Sequence, residues 1–116
     1  MPLVVVEGGT LKCSHQAQAR LPSGDARLAV SGNGAVTLGM EVGIAFPTCP
    51  FKDPKSGSPS PCSATMAATA GSSGILAVGN RPVLLDTAGG IATNPSDPSA
   101  TWSVADAGQQ LLSVDG

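Results

Sequence analysis

The chain has 116 residues and a formal net charge of −2, which suits one domain and offers no basic patch for nucleic acid or an anionic membrane surface. Hydrophobic residues make up 41% of the sequence but aromatic residues only 3%, and much of the apolar content is alanine and valine. Such a core buries little apolar area per residue, and a small domain of this kind usually needs a metal ion or a disulfide for stability.

The distribution of glycine and proline predicts an all-β domain. With 15 glycines and 10 prolines, turns are frequent, and no stretch shows the 3.6-residue period of an amphipathic helix. Short extended segments between turn signals are typical of β-structure instead. In chain order, the predicted strands are residues 3–6, 10–15, 28–30, 35–38, 102–104 and 111–114. Turns are predicted at residues 8–9, 22–25 and 32–34, an exposed loop at 52–61 and a connector at 94–99.

The sequence repeats itself once, at an offset of 47 to 49 residues. Residues 76–85 match residues 28–38 with one residue fewer, residues 90–92 match residues 43–45, and Cys62 matches Cys13. Two copies are too few for an elongated solenoid and suggest a compact, pseudo-symmetric body. Equivalent residues of two such units can converge near an axis, where a metal ion would tie the units together.

Three cysteines and a single histidine make up one complete set of ligands for a tetrahedral metal ion. Cys13, His15, Cys49 and Cys62 would form a closed structural zinc site with no position left for water or substrate. Cys13 and His15 are two residues apart, so on a strand they point to the same side. Prolines beside Cys49 and Cys62 lower the entropy lost when their loops are ordered.

Two other readings of the cysteines remain open, because their spacing is not that of a classical zinc finger or ribbon. The thiols could be small buried core residues, or two of them could form a disulfide with a spare cysteine and a surface histidine. No signal peptide or membrane span is visible, since the apolar run of residues 3–6 stops at Glu7. We therefore expect synthesis in the cytoplasm, where thiols stay reduced and favour metal over disulfide.

The motifs around the cysteines resemble the PAAR-like spike-tip domains of contractile injection systems, which include type VI secretion systems, phage-tail-like particles and extracellular contractile injection systems. The shared motifs are Gly-Gly-Thr-Leu-Lys-Cys-Ser at residues 8–14, Phe-Pro-Thr-Cys-Pro at 46–50, Pro-Ser-Pro-Cys at 59–62, Pro-Val-Leu-Leu at 82–85 and Gly-Gly-Ile at 89–91. The resemblance covers about residues 3–93 of a single domain spanning 1–116, with residues 94–116 as C-terminal strands. It implies a small conical β-fold with approximate threefold character, whose base docks on a trimeric spike and whose tip holds a metal ion.

Carried over residue by residue, the resemblance assigns Cys13, Cys49 and Cys62 as metal ligands. Related domains often have a further cysteine three residues before the late Gly-Gly pair, where this chain has Asp86. The fourth ligand is therefore either His15 or Asp86. We choose His15, because a carboxylate is a less typical ligand of structural zinc.

The resemblance implies a structural function: one copy per trimer caps the central spike and sharpens it for envelope penetration. We expect assembly at the tip of a contractile particle that is released or fired from the cell, with effector cargo as a second candidate partner and no stable membrane anchor. The alternative is a zinc-stabilised soluble adaptor that binds another protein or an effector. An enzyme is not expected, because Ser14 and His15 point to opposite faces of a strand and a four-ligand site is closed. Trp102 is predicted to be a packing anchor.

Overall fold

A computed structural model describes residues 2–114 of the chain and confirms the prediction of an all-β domain. The described residues form seven strands and no helix, and hence no helix long and apolar enough to span a membrane. The strands are β1 (Thr10–Cys13), β2 (Gln18–Arg20), β3 (Asp25–Val30), β4 (Asn33–Ala35), β5 (Ala64–Val78), β6 (Arg81–Thr93) and β7 (Thr101–Asp106).

Five of the strands form one antiparallel sheet in the order β2-β1-β7-β6-β5, while β3 and β4 form a separate hairpin. The C-terminal strand β7 thus lies in the middle of the sheet, between β1 and β6. The predicted strand at 102–104 is confirmed and extends over Thr101–Asp106. The predicted strand at 111–114 is reduced to a single bridge between Leu3 and Ser113.

The strands β5 and β6 are longer than the short strands expected, with 15 and 13 residues. Their alanine-, glycine- and serine-rich sequences have low intrinsic β-propensity, so pairing within the sheet determines their conformation. The pairing is interrupted by several register shifts. At one of them Gly71 has a φ of +83°, and a Cβ there would lie 2.2 Å from the Cα of Ala88, so only glycine fits.

The repeat corresponds to two hairpins with the same type of turn. The β3–β4 turn has Ser31 and Gly32 at φ 53° and 84°, and the β5–β6 turn has Gly79 and Asn80 at φ 58° and 65°. Two consecutive left-handed residues are typical of a two-residue type I′ turn. The first turn lies at residues 31–32 rather than 32–34 because Val30 already pairs with Asn33.

The other two matched segments of the repeat, residues 43–45 and 90–92, lie on opposite sides of β5. On one side, the Thr65 N–H donates to the Ile44 carbonyl at 3.0 Å and the Phe46 N–H to the Cys62 carbonyl at 3.1 Å. On the other side, Thr65 lies opposite Ala92 of β6. Residues 43–46 therefore extend the sheet beyond β5, and its two margins are this segment and β2.

The sheet encloses the main hydrophobic core, to which β1, β6 and β7 contribute buried side chains and β2 and β5 contribute the half-buried Ala19 and Ala68. Trp102 of β7 is only 2% exposed and its indole N–H donates to the Met66 carbonyl at 3.0 Å, in agreement with its predicted role as a packing anchor. A second, smaller cluster of apolar side chains joins the N-terminal segment to the start of β6; its buried members are Val4, Ala35, Val78, Val83, Leu85 and Val114.

Glu41 is a charged residue in the interior that no sequence pattern predicts to be buried. Glu41 is completely buried and accepts hydrogen bonds from the backbone N–H groups of Gly39 at 2.5 Å and Ala68 at 2.9 Å. The Thr65 hydroxyl donates to its backbone carbonyl. A buried carboxylate is tolerated only when hydrogen-bonded in this way, and these bonds fasten the turn at residues 39–42 to β5.

Candidate metal centre

The four residues predicted to bind metal converge at one end of the five-stranded sheet. Cys13 is the last residue of β1, Cys62 comes just before β5, and the connector between β6 and β7 covers the same end. The four ligand atoms, three Sγ and one imidazole nitrogen, all lie within 4.8 Å of one another, close enough to bind one metal ion. Among residues 2–114 this is the only such group, and Asp86 is not part of it.

A tight turn, and not a strand, brings His15 beside Cys13. Strand β1 ends at Cys13, whose carbonyl accepts from the Gln16 N–H at 2.9 Å and whose N–H donates to the Ala17 carbonyl at 3.0 Å. Gln16 has a φ of 73°. A turn followed by a left-handed residue is a common three-residue hairpin loop. Alternation along a strand is therefore the wrong explanation, because His15 reaches the cluster where the chain folds back after Cys13.

Cys49 is held by a β-turn of the Phe-Pro-Thr-Cys motif. The Cys49 N–H donates to the Phe46 carbonyl at 3.0 Å, and Pro47 takes the second position of the turn, where its fixed φ is favourable. The Phe46 N–H in turn donates to the Cys62 carbonyl. Phe46 is fully buried and so fixes Cys49 and Cys62 relative to each other.

The exposed loop predicted at residues 52–61 folds back on itself between the two cysteines. The Ser60 N–H donates to the Phe51 carbonyl and the Asp53 N–H to the Ser58 carbonyl, both at 2.9 Å. Residues 54–59 are exposed, as expected. At the base of the loop, the Phe51 ring stacks on the His15 ring with centroids 4.4 Å apart, which shields the imidazole on that side.

The distances within the cluster fit a small tetrahedral ion. The Sγ atoms of Cys13 and Cys49 are 3.7 Å apart, and His15 Nδ1 lies 3.4 Å from Cys49 Sγ, 3.5 Å from Cys62 Sγ and 4.0 Å from Cys13 Sγ. Zinc bonds of about 2.3 Å to sulfur and about 2.0 Å to nitrogen give tetrahedral edges of about 3.8 Å and about 3.5 Å. Little rearrangement is therefore needed to bind an ion.

The centre is closed and the thiols are free. Cys13, Cys49 and Cys62 are 1%, 8% and 1% exposed, and the His15 side chain is 14% exposed. None of the three cysteines forms a disulfide. Four protein ligands complete a tetrahedral shell, so the arrangement suits a structural ion and not one that activates water.

Asp97 orients the histidine. Its Oδ2 lies 2.7 Å from His15 Nε2, which leaves Nδ1 facing the three thiols. Asp97 is itself held through Oδ1, which accepts from the N–H and hydroxyl of Ser99 at 3.0 and 2.8 Å. The Ser99 hydroxyl and the neighbouring His15 both lower the pKa of Asp97. A carboxylate behind a ligating histidine is the usual support of a metal site.

Asn94 supports the cluster from the same connector. Its side-chain amide donates to the Ser60 carbonyl at 2.9 Å and contacts Cys62 Sγ at 3.6 Å. Its Oδ1 accepts from the N–H groups of Ser96 and Asp97 at 2.8 and 3.1 Å. The sequence predicts residues 94–99 only as a turn-rich connector. The Asn-Pro-Ser-Asp sequence signals such a turn, but nothing local places it beside Ser60, Cys62 and His15, which lie 32 to 82 positions away.

Two of the thiols have opposite protonation preferences. Burial acts to raise the pKa of Cys49, but hydrogen bonds from the backbone N–H groups of Phe51 and Cys62, and then from Cys13 and His15, outweigh it and bring the pKa to about 7. Burial raises the pKa of Cys62 to about 11 against the opposing hydrogen bond from Asn94, and the charges of the other two cysteines add to the increase. Metal binding must therefore displace a proton from Cys62.

No family model, curated protein or solved structure matches this chain. The cysteine motifs and the geometry of the metal centre are therefore the features that bear on function.

Proposed function

We propose that this protein is a structural spike-tip domain that caps the trimeric central spike of a contractile injection system. The observation that supports this function best is the closed four-residue cluster at one end of an elongated β-body of 46 × 23 × 22 Å. The strand β5, at about 3.3 Å per residue, accounts for the long dimension, and its first residue adjoins the cluster. A metal-fastened end and an opposite docking end are what a spike tip requires.

We propose further that the bound ion is zinc. Three sulfurs and one imidazole are a typical ligand set for structural zinc, and the spacing of the ligand atoms agrees with its bond lengths. Elemental analysis of protein purified without added metal should give close to one zinc per chain. A well-folded metal-free protein, or a disulfide between Cys13 and Cys62, would contradict this assignment. Full metal content in His15→Ala combined with metal loss in Asp86→Ala would show that His15 is not the fourth ligand.

The centre has a mechanical role in this proposal and no catalytic one. It joins the turn after β1, the β-turn before the exposed loop and the segment leading into β5, which are distant in sequence. Opening any of these segments under load would require breaking metal–ligand bonds in addition to packing contacts. Contraction of the sheath drives the spike into a target envelope, and a cross-linked end withstands that load better than an alanine- and valine-rich core alone.

The opposite end of the sheet is the proposed base. There the two hairpins of the repeat lie side by side, joined by a bridge between Thr37 and Val83. The smaller apolar cluster lies at this end, and Ile75 and Leu111 are 74% and 79% exposed. The two hairpins offer two similar faces to a threefold partner, and the N-terminal segment with residues 111–114 offers the third.

The test is the stoichiometry of the complex between this protein and its proposed partner, the trimeric spike of a contractile injection system. We expect a monomer that binds one copy per trimer through apolar and backbone contacts with little salt dependence. Three copies per trimer, or no binding, would refute the cap and favour a zinc-stabilised adaptor. A single copy whose affinity collapses in moderate salt would keep the cap but reject this interface.

A further inference from the structure

The two margins of the curled sheet face each other across an open groove of about 410 Å³. The residues that line it lie within 18–22, which include β2, and within 43–47, which continue the sheet beyond β5. Within the described part of the chain, no hydrogen bond joins the two walls. The sheet is thus a barrel left open along one seam.

The walls of this seam carry backbone groups that point into it. The Cys13 N–H donates to the Ala17 carbonyl and the Leu21 N–H to the Gly9 carbonyl, so the odd-numbered residues of this segment face β1. By the alternation of an antiparallel ladder, the N–H and C=O groups of Gln18 and Arg20 face the groove. On the other wall, the backbone groups of Ile44 and Phe46 form hydrogen bonds on the β5 side. The backbone N–H and C=O groups of Ala45 therefore face the groove.

The floor of the seam is apolar and continuous with the main core. Ala19 from one wall and Ile44 from the other are half-buried, and both pack against the core cluster. A strand inserted here would cover these two side chains with every second residue, while its backbone pairs with β2. Exposed strand edges are the sites at which proteins accept an added strand.

Arg20 indicates what charge the added strand carries. Arg20 lines both the seam and an adjoining cavity of about 280 Å³. It forms no ion pair within residues 2–114, and the nearby Glu7 carboxylate accepts instead from the Gly34 N–H at 3.3 Å. An unpaired guanidinium beside an apolar floor and open backbone donors favours an acidic side chain on the incoming strand.

We propose that this seam binds an extended peptide segment of a partner protein as an antiparallel strand beside β2. The segment places small apolar side chains over Ala19 and Ile44 and an acidic side chain beside Arg20. This interaction is independent of the spike-tip function, because the seam runs along the side of the sheet and uses neither the metal ligands nor the proposed base.

The probe is an acetylated and amidated heptapeptide, threonine-valine-glutamate-valine-threonine-valine-threonine, added to the zinc-loaded ¹⁵N-labelled full chain. At millimolar peptide we expect saturable shifts of the backbone amides lining the seam and slower hydrogen exchange of the Gln18 and Arg20 amides. The same peptide N-methylated at alternate residues should not bind, because it cannot pair. Absence of binding, or shifts confined to the backbone amides of Met66 and Ile91, whose side chains are exposed and apolar, would overturn the proposal.

Two variants separate the backbone and charge contributions. Gln18→Pro removes a backbone N–H donor that points away from β1, and an edge strand tolerates proline at such a position. This variant should not bind the peptide, while its zinc content should stay unchanged. Arg20→Gln should weaken binding by about two- to fivefold, the value of one exposed ion pair, and should have no effect on a peptide with lysine in place of glutamate. Normal binding by a folded Gln18→Pro chain would refute strand addition, and an unchanged affinity in Arg20→Gln would refute the acidic partner.

Discussion

The substitution Asp97→Asn isolates the charge that orients the histidine of the metal centre. Asparagine keeps an oxygen for the bonds from Ser99, so the turn at residues 94–97 should persist. What is lost is the negative charge 2.7 Å from His15 Nε2. The imidazole then loses both its fixed orientation and the carboxylate that increases its basicity as a ligand.

The expected cost follows from the geometry of this contact. Loss of a carboxylate behind a ligating histidine weakens metal binding by about 10- to 100-fold, or about 1.4–2.7 kcal/mol. Asp97→Asn should fall within this range, because its single oxygen stays with Ser99 and its side-chain NH2 group, a donor, replaces the oxygen that faced Nε2. Asp97→Ala should lie near the upper limit, because it also removes the acceptor for Ser99. The Asp97 side chain is 20% exposed, so water replaces only part of what is lost.

The assay is competition for zinc against a chromogenic chelator at pH 7, with cobalt absorption as a reporter of the ligand set. Asp86→Asn is the matched control, since Asp86 lies on β6 outside the cluster, and it should leave the dissociation constant unchanged. Equal weakening in both variants would show that Asp97 acts through general charge and not through His15. An unchanged affinity in Asp97→Ala would refute the orienting role.

Three further results are expected. Cys49→Ser should approach complete unfolding, because structural zinc contributes about 10–16 kcal/mol against a typical domain stability of about 5–15 kcal/mol. A chelator should lower the melting temperature of the wild type and leave that of Cys49→Ser unchanged. Equal chelator sensitivity of the two proteins would argue against a structural ion. At pH 7, zinc should release about one proton from Cys62 and about half a proton from Cys49, given their pKa values of about 11 and about 7. Zinc affinity should therefore rise with pH, and calorimetry in buffers of different ionisation enthalpy that detects no release would contradict this. Gly71→Ala should lower the free energy of unfolding by about 2–5 kcal/mol, from left-handed strain plus overlap with Ala88. The control Gly57→Ala, with φ +72° and no neighbour within 4 Å, should lower it by only about 1–2 kcal/mol. Similar denaturant midpoints for the two variants would show that the overlap with Ala88 is relieved.

The sequence was informative where chemistry or turn geometry is local. Three cysteines and one histidine are the chain's entire supply of thiol and imidazole groups, and all four come together. The prolines near Cys49 indicated an ordered ligand-bearing loop, and the glycine-containing turn at residues 32–34 indicated the first hairpin, to which the repeat matched residues 76–85. These features depend on residue type and on neighbours within a few positions.

Other features depend on contacts between distant segments and could not be read locally. The conformation of β5 contradicts its own propensity, because alanine and glycine form a strand there only when β6 pairs with them. Glu41 looks like a surface residue until the N–H of Ala68 is brought to it. Asp97 looks like a turn residue until the loop after β1 places His15 beside it.

The position of β7 in the middle of the sheet determines the order of events during folding. Cys13 on β1 lies opposite Trp102 on β7, so the central ladder forms only after almost ninety intervening residues have been synthesised. Pairings of such large sequence separation make folding slow. The hairpins β3–β4 and β5–β6 can form early, but the backbone that orients Cys13 and His15 is complete only when β7 arrives. Firm capture of the metal ion should therefore be one of the last steps, and a chain arrested on the ribosome before β7 would hold its thiols reduced, unligated and open to oxidation.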